Sequence, residues 1–417
     1  MAAKKDKEKD KDEENEQDNQ LNAQNVEKYK AAANITQDAL NKVIARVVPG
    51  AKVLELAELG DKLLLDGVAH TFNKKKDSGE QIEKGIAFPT SIAVNECVGN
   101  NSPEEGDARQ IVEGDVVKID LGCHIDGYIA SAAHTVIVSK EPLTDSRADL
   151  INATHWAGEA VRHLLKVGAK TVDISTVIKK VADSYGVTCV EGVLSHQIKR
   201  FVIDANKVIG NSLNLERAVP DNIIEAGEVY CIDIVLSTGD GKNPPKENQE
   251  RQKTTIFKRS VENKYQLKLS LRHIETKVPR VGIKDMIEHQ MLETYPVLFE
   301  KNGTFVAQVK YTIFVLPTKN EVICGGQKTG RLGFVEEGTK IEDPSVLKIL
   351  ELISGGGKKK KKGKKEGKGD GAEEKEKEKE EKKEEIKDEK VEDKEKEADK
   401  EKEVDKEGGG KKKKKGK

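Results

Sequence analysis

Twice in this chain a strand-like run carries an aspartate among apolar neighbours. The runs are GDVVKIDLG at residues 114–122 and GEVYCIDIVLS at 227–237, with Gly, an acid, Val and Ile-Asp at equal offsets. A carboxylate inside a strand is costly unless it is hydrogen-bonded, paired or bound to metal. Recurrence of the same strand with helical segments between predicts two related α+β halves around one sheet. It puts Asp120 and Asp233 at equivalent positions. Two readings are open. Both carboxylates end their strands on nearby backbone amides, or they form a metal site together with His196 of GVLSHQIK.

The first run opens KIDLGCHIDGYIASAAHTV at residues 118–136, which reads as strand, tight Asp126-Gly127 turn and strand. Leu40, Val43, Ile44, Val47 and Val48 mark one face of a helix that Pro49-Gly50 stops. A second helix spans about Leu54 to Phe72, and GIAFPTSIAVNECV alternates as a strand after a bend at Pro89. Residues 147–166 are helical, with Leu150, Ala153, Ala157, Val161 and Leu164 on one side. The next helix buries Ile174, Val177, Ile178 and Val181, with Asp173 as its cap and Gly186 as its end. Strands follow at GVLSHQIKRFVI, GEVYCIDIVLSTG and 254–271, then a short helix near 284–294, a strand at 304–317 and a last apolar turn, SVLKILELIS.

Composition sets the boundaries. Residues 1–20 are almost all charged or amide, and 355–417 are nearly pure Lys, Glu, Asp and Gly. Neither end has apolar groups to offset the entropy of ordering, so both are expected to be disordered around a domain at 21–354. The formal net charge of −1 hides strong local fields. Five cysteines, Cys97, Cys123, Cys189, Cys231 and Cys324, include no CxxC pair. This argues against a zinc ribbon or disulfide framework and suits a reducing compartment. The charged start does not fit a signal peptide and no run is long and apolar enough to span a membrane, so a soluble intracellular protein is expected.

The succession AFPT, VKIDLG and HIDGYIASAAHTV, LSHQIKRFVI, VYCIDIVLSTG and FVAQVKYTI resembles the type II methionine aminopeptidases. The resemblance implies their pita-bread fold, the creatinase/methionine aminopeptidase-like α+β architecture of pseudo-two-fold related halves. That family holds two metals with Asp, Asp, His, Glu and Glu. Carried over position by position, the first Asp falls on Asp120, the His on His196 and the first Glu on Asp233. The second Asp falls on Ser131 and the last Glu on Lys310, while two further family histidines fall on Asn100 and Asp204. Two cations a few Å apart need surrounding anionic oxygens. Ser131 removes one carboxylate, and Lys310 replaces another with a cation, moving local charge by about two units against metal binding. Lys310 is expected to pair with Asp120 or Asp233 and close the site. His124 and His134 come up as substitute ligands, but they read better as polar histidines near a turn. His70, His155, His163, His273 and His289 lack ligand spacing.

Within that superfamily the chain more closely resembles the proliferation-associated, or Erb-receptor-binding, proteins, which keep the fold without aminopeptidase activity. The phrases EKGIAFPTSIAVNECV, TTIFKRSVENKYQLKL and VLFEKNGTFVAQVKYT carry that likeness, over roughly residues 25–318. It implies a non-catalytic protein with no metal or other cofactor. Its implied partners are the large ribosomal subunit near its exit tunnel, rRNA and other structured RNA, with DNA and growth-control proteins as further partners. Roles in ribosome biogenesis, translation control, growth regulation and transcription follow, as do a monomeric state and passage between cytoplasm and nucleus or nucleolus. The chain departs from the pattern in three places. An insert at about 240–290 looks shortened, Asn100 replaces His, and the last helix reads Leu347, Leu350, Leu352 rather than LxxLL.

The tail adds a physical argument of its own. One basic block holds Lys358, Lys359, Lys360, Lys361, Lys362, Lys364 and Lys365; another holds Lys411, Lys412, Lys413, Lys414 and Lys415. Such blocks bind phosphate backbones through counterion release and serve as nuclear address signals. Two other functions stay open at this point. One is a peptidase with an atypical site of Asp120, His196 and Asp233, and the other a module that holds a peptide in the old substrate pocket without cutting it.

Overall fold

The computed structural model describes residues 19–76, 79–212, 219–242, 253–259, 271–272, 280–326 and 340–354. The basic blocks of the tail, nearly all of both charged ends and most of the 240–290 segment lie outside the described residues.

A nine-stranded sheet forms the centre. Its main path runs β1-β3-β4-β13-β8-β6-β7, with β14 beside β13 and β5 beside β8. Its strands are β1 (Lys84–Val94), β3 (Val116–Ile125), β4 (Tyr128–Ile137), β5 (Thr188–Cys189), β6 (Leu194–Ile198), β7 (Val208–Gly210), β8 (Val229–Ser237), β13 (Val306–Val315) and β14 (Asn320–Gly325); β2 (Cys97–Gly99) lies outside this sheet. A hairpin joins β3 and β4 through Asp126 and Gly127, both left-handed at φ 55° and 84°, as a two-residue primed turn requires.

Helices α1 (Ala23–Ile44) and α2 (Val53–Ala69) cover the first half of the sheet, where Leu40, Val43, Leu56 and Leu64 bury against Ile92, Ile119 and Leu121. Helices α3 (Ser146–Leu164) and α4 (Thr171–Ser184) cover the second half, burying Leu150, Ala157, Ile174 and Ile178 against Ile232, Ile234 and Ile313. The repeat extends well beyond the aspartate strands. Gly50-Ala51-Lys52 leads into α2 and Gly168-Ala169-Lys170 into α4, and Lys52 and Lys170 make equivalent bridges, to Gln110 and Ile223. Gly114 and Gly227 stand before β3 and β8 with φ of 92° and 88°. This is the pita-bread arrangement expected from the sequence.

Several local expectations need correction. Helix α1 begins at Ala23, far before the predicted stripe, and ends at Ile44; Val47 is buried in the following turn while Val48 is exposed. Ahead of Leu40 and Val43 its buried face is Asn25, Tyr29, Ala32, Ala33, Thr36 and Ala39, mostly small or polar residues that carry little hydrophobic signal. Pro89 does not precede the strand but lies within β1, where the register with β3 shifts on both sides of Phe88. Proline has no N–H to give a ladder, so it sits at an irregularity. Helix α4 starts at Thr171, so Asp173 is inside its first turn. The carboxylate that meets its start is Asp221, which accepts from Val172 N at 3.3 Å. The short helix is α5 (Arg280–Glu288), ended at Gln290 with φ 56°, and the predicted helical residues after it form β11 (Leu292–Tyr295). Strand β11 pairs with β9 (Ile256–Arg259), which pairs with β10 (Leu271–Arg272), in a small separate sheet; β12 (Leu298–Phe299) pairs with β2. A last helix, α6 (Pro344–Ser354), packs Val346 and Leu350 into the second-half core.

Candidate functional site

Sheet register creates the site. Asp120 on β3 lies opposite Ala133 on β4, Ala133 opposite Lys310 on β13, and Lys310 opposite Asp233 on β8. Residues directly opposite in a sheet share a face. One row thus places both repeat-related aspartates and Lys310 on the side of the sheet away from the helices. The alternate residues Ile119, Leu121, Ile232 and Ile234 point into the helical cores.

The Lys310 ammonium bonds Asp120 Oδ2 and stands 3.0 Å from Asp233 Oδ2. The Gln308 amide, two residues earlier on the same face, donates to Asp233 Oδ1 at 2.8 Å and Asp120 Oδ2 at 3.3 Å. Phe88 offers its ring at 5.2 Å from Lys310 Nζ. The three charged side chains are only 9–15% exposed, so water screens this cluster little. Burial alone would lower the Lys310 pKa, but the Asp120 and Asp233 carboxylates overcome it and hold the ammonium charged. Burial, with Asp233 nearby, pushes Asp120 up to about 6 against the pull of Lys310.

Around the cluster is a cavity of about 210 Å³, lined by Asn100, Ser131, His196, Asp204, Tyr295 and Val98 besides the residues named. Burial lowers the His196 pKa, with Lys310 acting the same way against Asp204 and Asp233. Asn100, in left-handed backbone at φ 60°, donates to Pro296 O at 3.0 Å. Asp204 accepts from Lys258 at 2.8 Å and from the Tyr295 hydroxyl at 3.1 Å, a second lysine–carboxylate pair at the rim. Asp120 Oδ1, Ser131 Oγ and His196 Nδ1 are buried without a hydrogen-bond partner among the described residues.

The other histidines stand apart. His124 lies four residues along β3 from Asp120, about 13 Å at the usual strand rise, and its Nδ1 accepts from Gly127 N at 3.2 Å. His134 has the opposite parity, and burial with His155 nearby pushes it down to about 4. Gln308, Phe88, Tyr295 and Lys258 were not read from the sequence as site residues. Gln308 alone had a signal, being two residues from Lys310 on one strand.

The donor set does not fit a two-metal centre. Ser131 and Lys310 stand where the sequence resemblance puts two of its carboxylates, and the Lys310 ammonium contacts both Asp120 and Asp233. Among the described residues no group of three or more His, Cys, Asp and Glu could hold a metal ion.

A pita-bread sheet carrying this row of positions defines the class, and the chain belongs to metallopeptidase family M24, whose sequence pattern matches residues 27–287. Within the family it is 40% identical over 347 residues to Proliferation-associated protein A of Dictyostelium discoideum, covering 78% of this chain and 88% of that one. It is 41% identical to ERBB-3 binding protein 1 of Arabidopsis thaliana, over 81% of this chain and 89% of that one. Among solved structures it is similar to a thermophilic Arx1, with TM-score 0.71 and 25% identity over 79% of this chain and 98% of that one. The two sequence relatives carry names that describe proliferation and binding rather than catalysis.

Proposed function

We propose that this chain is a non-catalytic M24 protein that binds RNA and the large ribosomal subunit near its exit tunnel. In this reading it acts in ribosome biogenesis, translation control and growth regulation, as a monomer moving between cytoplasm and nucleus or nucleolus. The observation that carries the non-catalytic part is the Lys310 ammonium seated between Asp120 and Asp233. A peptidase using Asp120, His196 and Asp233 would need that seat for its metal, and release of N-terminal Met from a short peptide would revive it. Support for the ribosomal part comes from the proliferation-associated relatives, from the likeness to Arx1 and from the lysine blocks of the tail. Co-sedimentation of the full chain with large subunits across a salt series tests it. Binding that survives neutralisation of the tail lysines supports subunit recognition by the folded domain; no binding at any salt contradicts the reading.

The cavity favours a second, compatible reading. Its buried oxygen and nitrogen atoms without partners are suited to hold a peptide segment that is not cut. Competition by a pocket-filling peptide, without effect on RNA contact, would separate the two.

A further inference from the structure

At the tip of the β3–β4 hairpin, three cations close on one buried carboxylate. Lys28 and Lys76 reach Asp126 at 2.7 and 2.8 Å, and Arg200 at 2.9 Å. They come from three segments: α1, the loop between α2 and β1, and the turn after β6. Burial alone would raise the Asp126 pKa, but hydrogen bonds from Lys28, Lys76 and Arg200 hold it down to about 2. Lys28 and Arg200 also lie 5.2 and 5.6 Å from the Tyr128 ring centroid, and Arg200 5.4 Å from that of Phe201. The cations are therefore fixed in place, with a local surplus of positive charge.

The flanking loops add more. Lys74, Lys75 and Lys199 are exposed and enter none of the ion pairs made among the described residues. Lys84 ties the first loop down, donating to Thr71 O and Asn73 Oδ1 at 2.5 Å each. Both loops hold an aromatic residue in left-handed backbone, Phe72 at φ 52° and Phe201 at φ 61°. Such backbone costs about 1 kcal/mol or more in a bulky residue and persists only when packing fixes it. The Phe201 ring does pack, directly over Gly127 and 6.0 Å from His124. By sequence, residues 72–84 and 199–201 carry six lysines and arginines against three acids, so with Lys28 and Asp126 added the surplus is three.

We propose that this hairpin-tip surface binds the phosphate backbone of structured RNA. The inference rests on the RNA-binding reading above and assigns part of that contact to a face of the folded domain. A phosphate backbone is recognised by fixed cations alone. An acidic protein partner would call for an apolar anchor as well. The exposed large apolar residues Val48, Leu65, Val112, Val167, Val172 and Ile223 all lie outside these segments.

The test uses the full chain with Lys74→Gln, Lys75→Gln and Lys199→Gln combined, titrated onto a labelled double-stranded RNA hairpin between 50 and 200 mM salt. All three side chains are exposed, so the thermal midpoint should match the parent. The slope of log affinity against log salt should fall by about 2–3, with roughly tenfold weaker binding at low salt. A control with Lys166→Gln, Lys170→Gln and Lys348→Gln makes the same charge change on the α3, α4 and α6 side and should keep the parent slope. Equal losses in both variants, or none in the first, overturn the assignment of this face while the RNA reading stands. An acidic protein that binds the parent but not the triple variant, with RNA affinity unchanged, overturns it as well. Absence of RNA binding by the parent chain overturns both.

Discussion

Lys310 has its meaning only through its two neighbours. Its single positive charge offsets the repulsion between two buried carboxylates, and its loss would leave Asp120 and Asp233 facing each other. Lys310→Met should lower stability by about 3–5 kcal/mol at pH 7.5, as removal of one partner from a buried ion pair does. The deficit should shrink at pH 5 in urea unfolding, because Asp120, already raised to about 6, then takes up a proton. In the parent chain Asp120 and Asp126 shape acid stability in opposite directions. Asp120 is raised above its ordinary 3.8, so its contribution is greatest below about pH 4 and fades as pH rises through 6. Asp126 is lowered to about 2, so its contribution is present above about pH 4 and is lost as pH falls through 2. That contribution is worth about 2 kcal/mol. Asp126→Asn should remove the corresponding acid limb from a plot of stability against pH. Both aspartates and Lys310 could be found in the sequence because each repeats or replaces a recognisable position. Phe88, Tyr295 and Lys258 could not, because their place at the site depends on tertiary approach, which strand alternation does not specify.

At the level of elements, the hairpin was readable and the part of α1 before Leu40 was not, for opposite reasons. Asp126-Gly127 between alternating runs is a turn signal with a steric mechanism. Between Tyr29 and Leu40 the stripe of α1 is alanine and threonine, which allows close approach: Thr36 Oγ1 lies 3.2 Å from Ala130 O and 3.3 Å from Cys123 Sγ on the sheet. A hydrophobicity pattern does not register such a face. The start of α4 was misread because its partner, Asp221, is distant in sequence from the helix it meets. Gly127 is where the hairpin and the β6 turn touch. A Cβ there would meet the Phe201 ring at 2.5 Å, at a φ that side chains rarely adopt. Gly127→Ala should therefore destabilise the chain by about 1–3 kcal/mol in thermal unfolding. It should also loosen Arg200, lowering RNA affinity more than that stability loss alone explains.

For the whole molecule, two halves of the M24 sheet bring equivalent strands together, and the sequence resemblance puts the family's metal positions at their junction. Here that junction holds a lysine–aspartate cluster, and the fold persists around it. All five cysteines are free and buried, consistent with a chain held by packing and not by disulfides. Among the described residues no helix is long and apolar enough to cross a membrane. The halves were visible in sequence because strand β3 and strand β8 share their residues; of the small sheet, β9 and β10 fall in the strands predicted at 254–271, but β11 falls where a helix was expected, so the pairing of the three was not. The central claim is that an ammonium has taken over the electrostatic role of the metals. Its most direct test is titration of the purified full chain with Mn²⁺ or Co²⁺ beside a variant carrying Ser131→Asp and Lys310→Glu, with bound metal read by calorimetry and elemental analysis. The account predicts no micromolar uptake by the parent chain and a gain of binding in the variant. Stoichiometric, micromolar binding by the parent would contradict it.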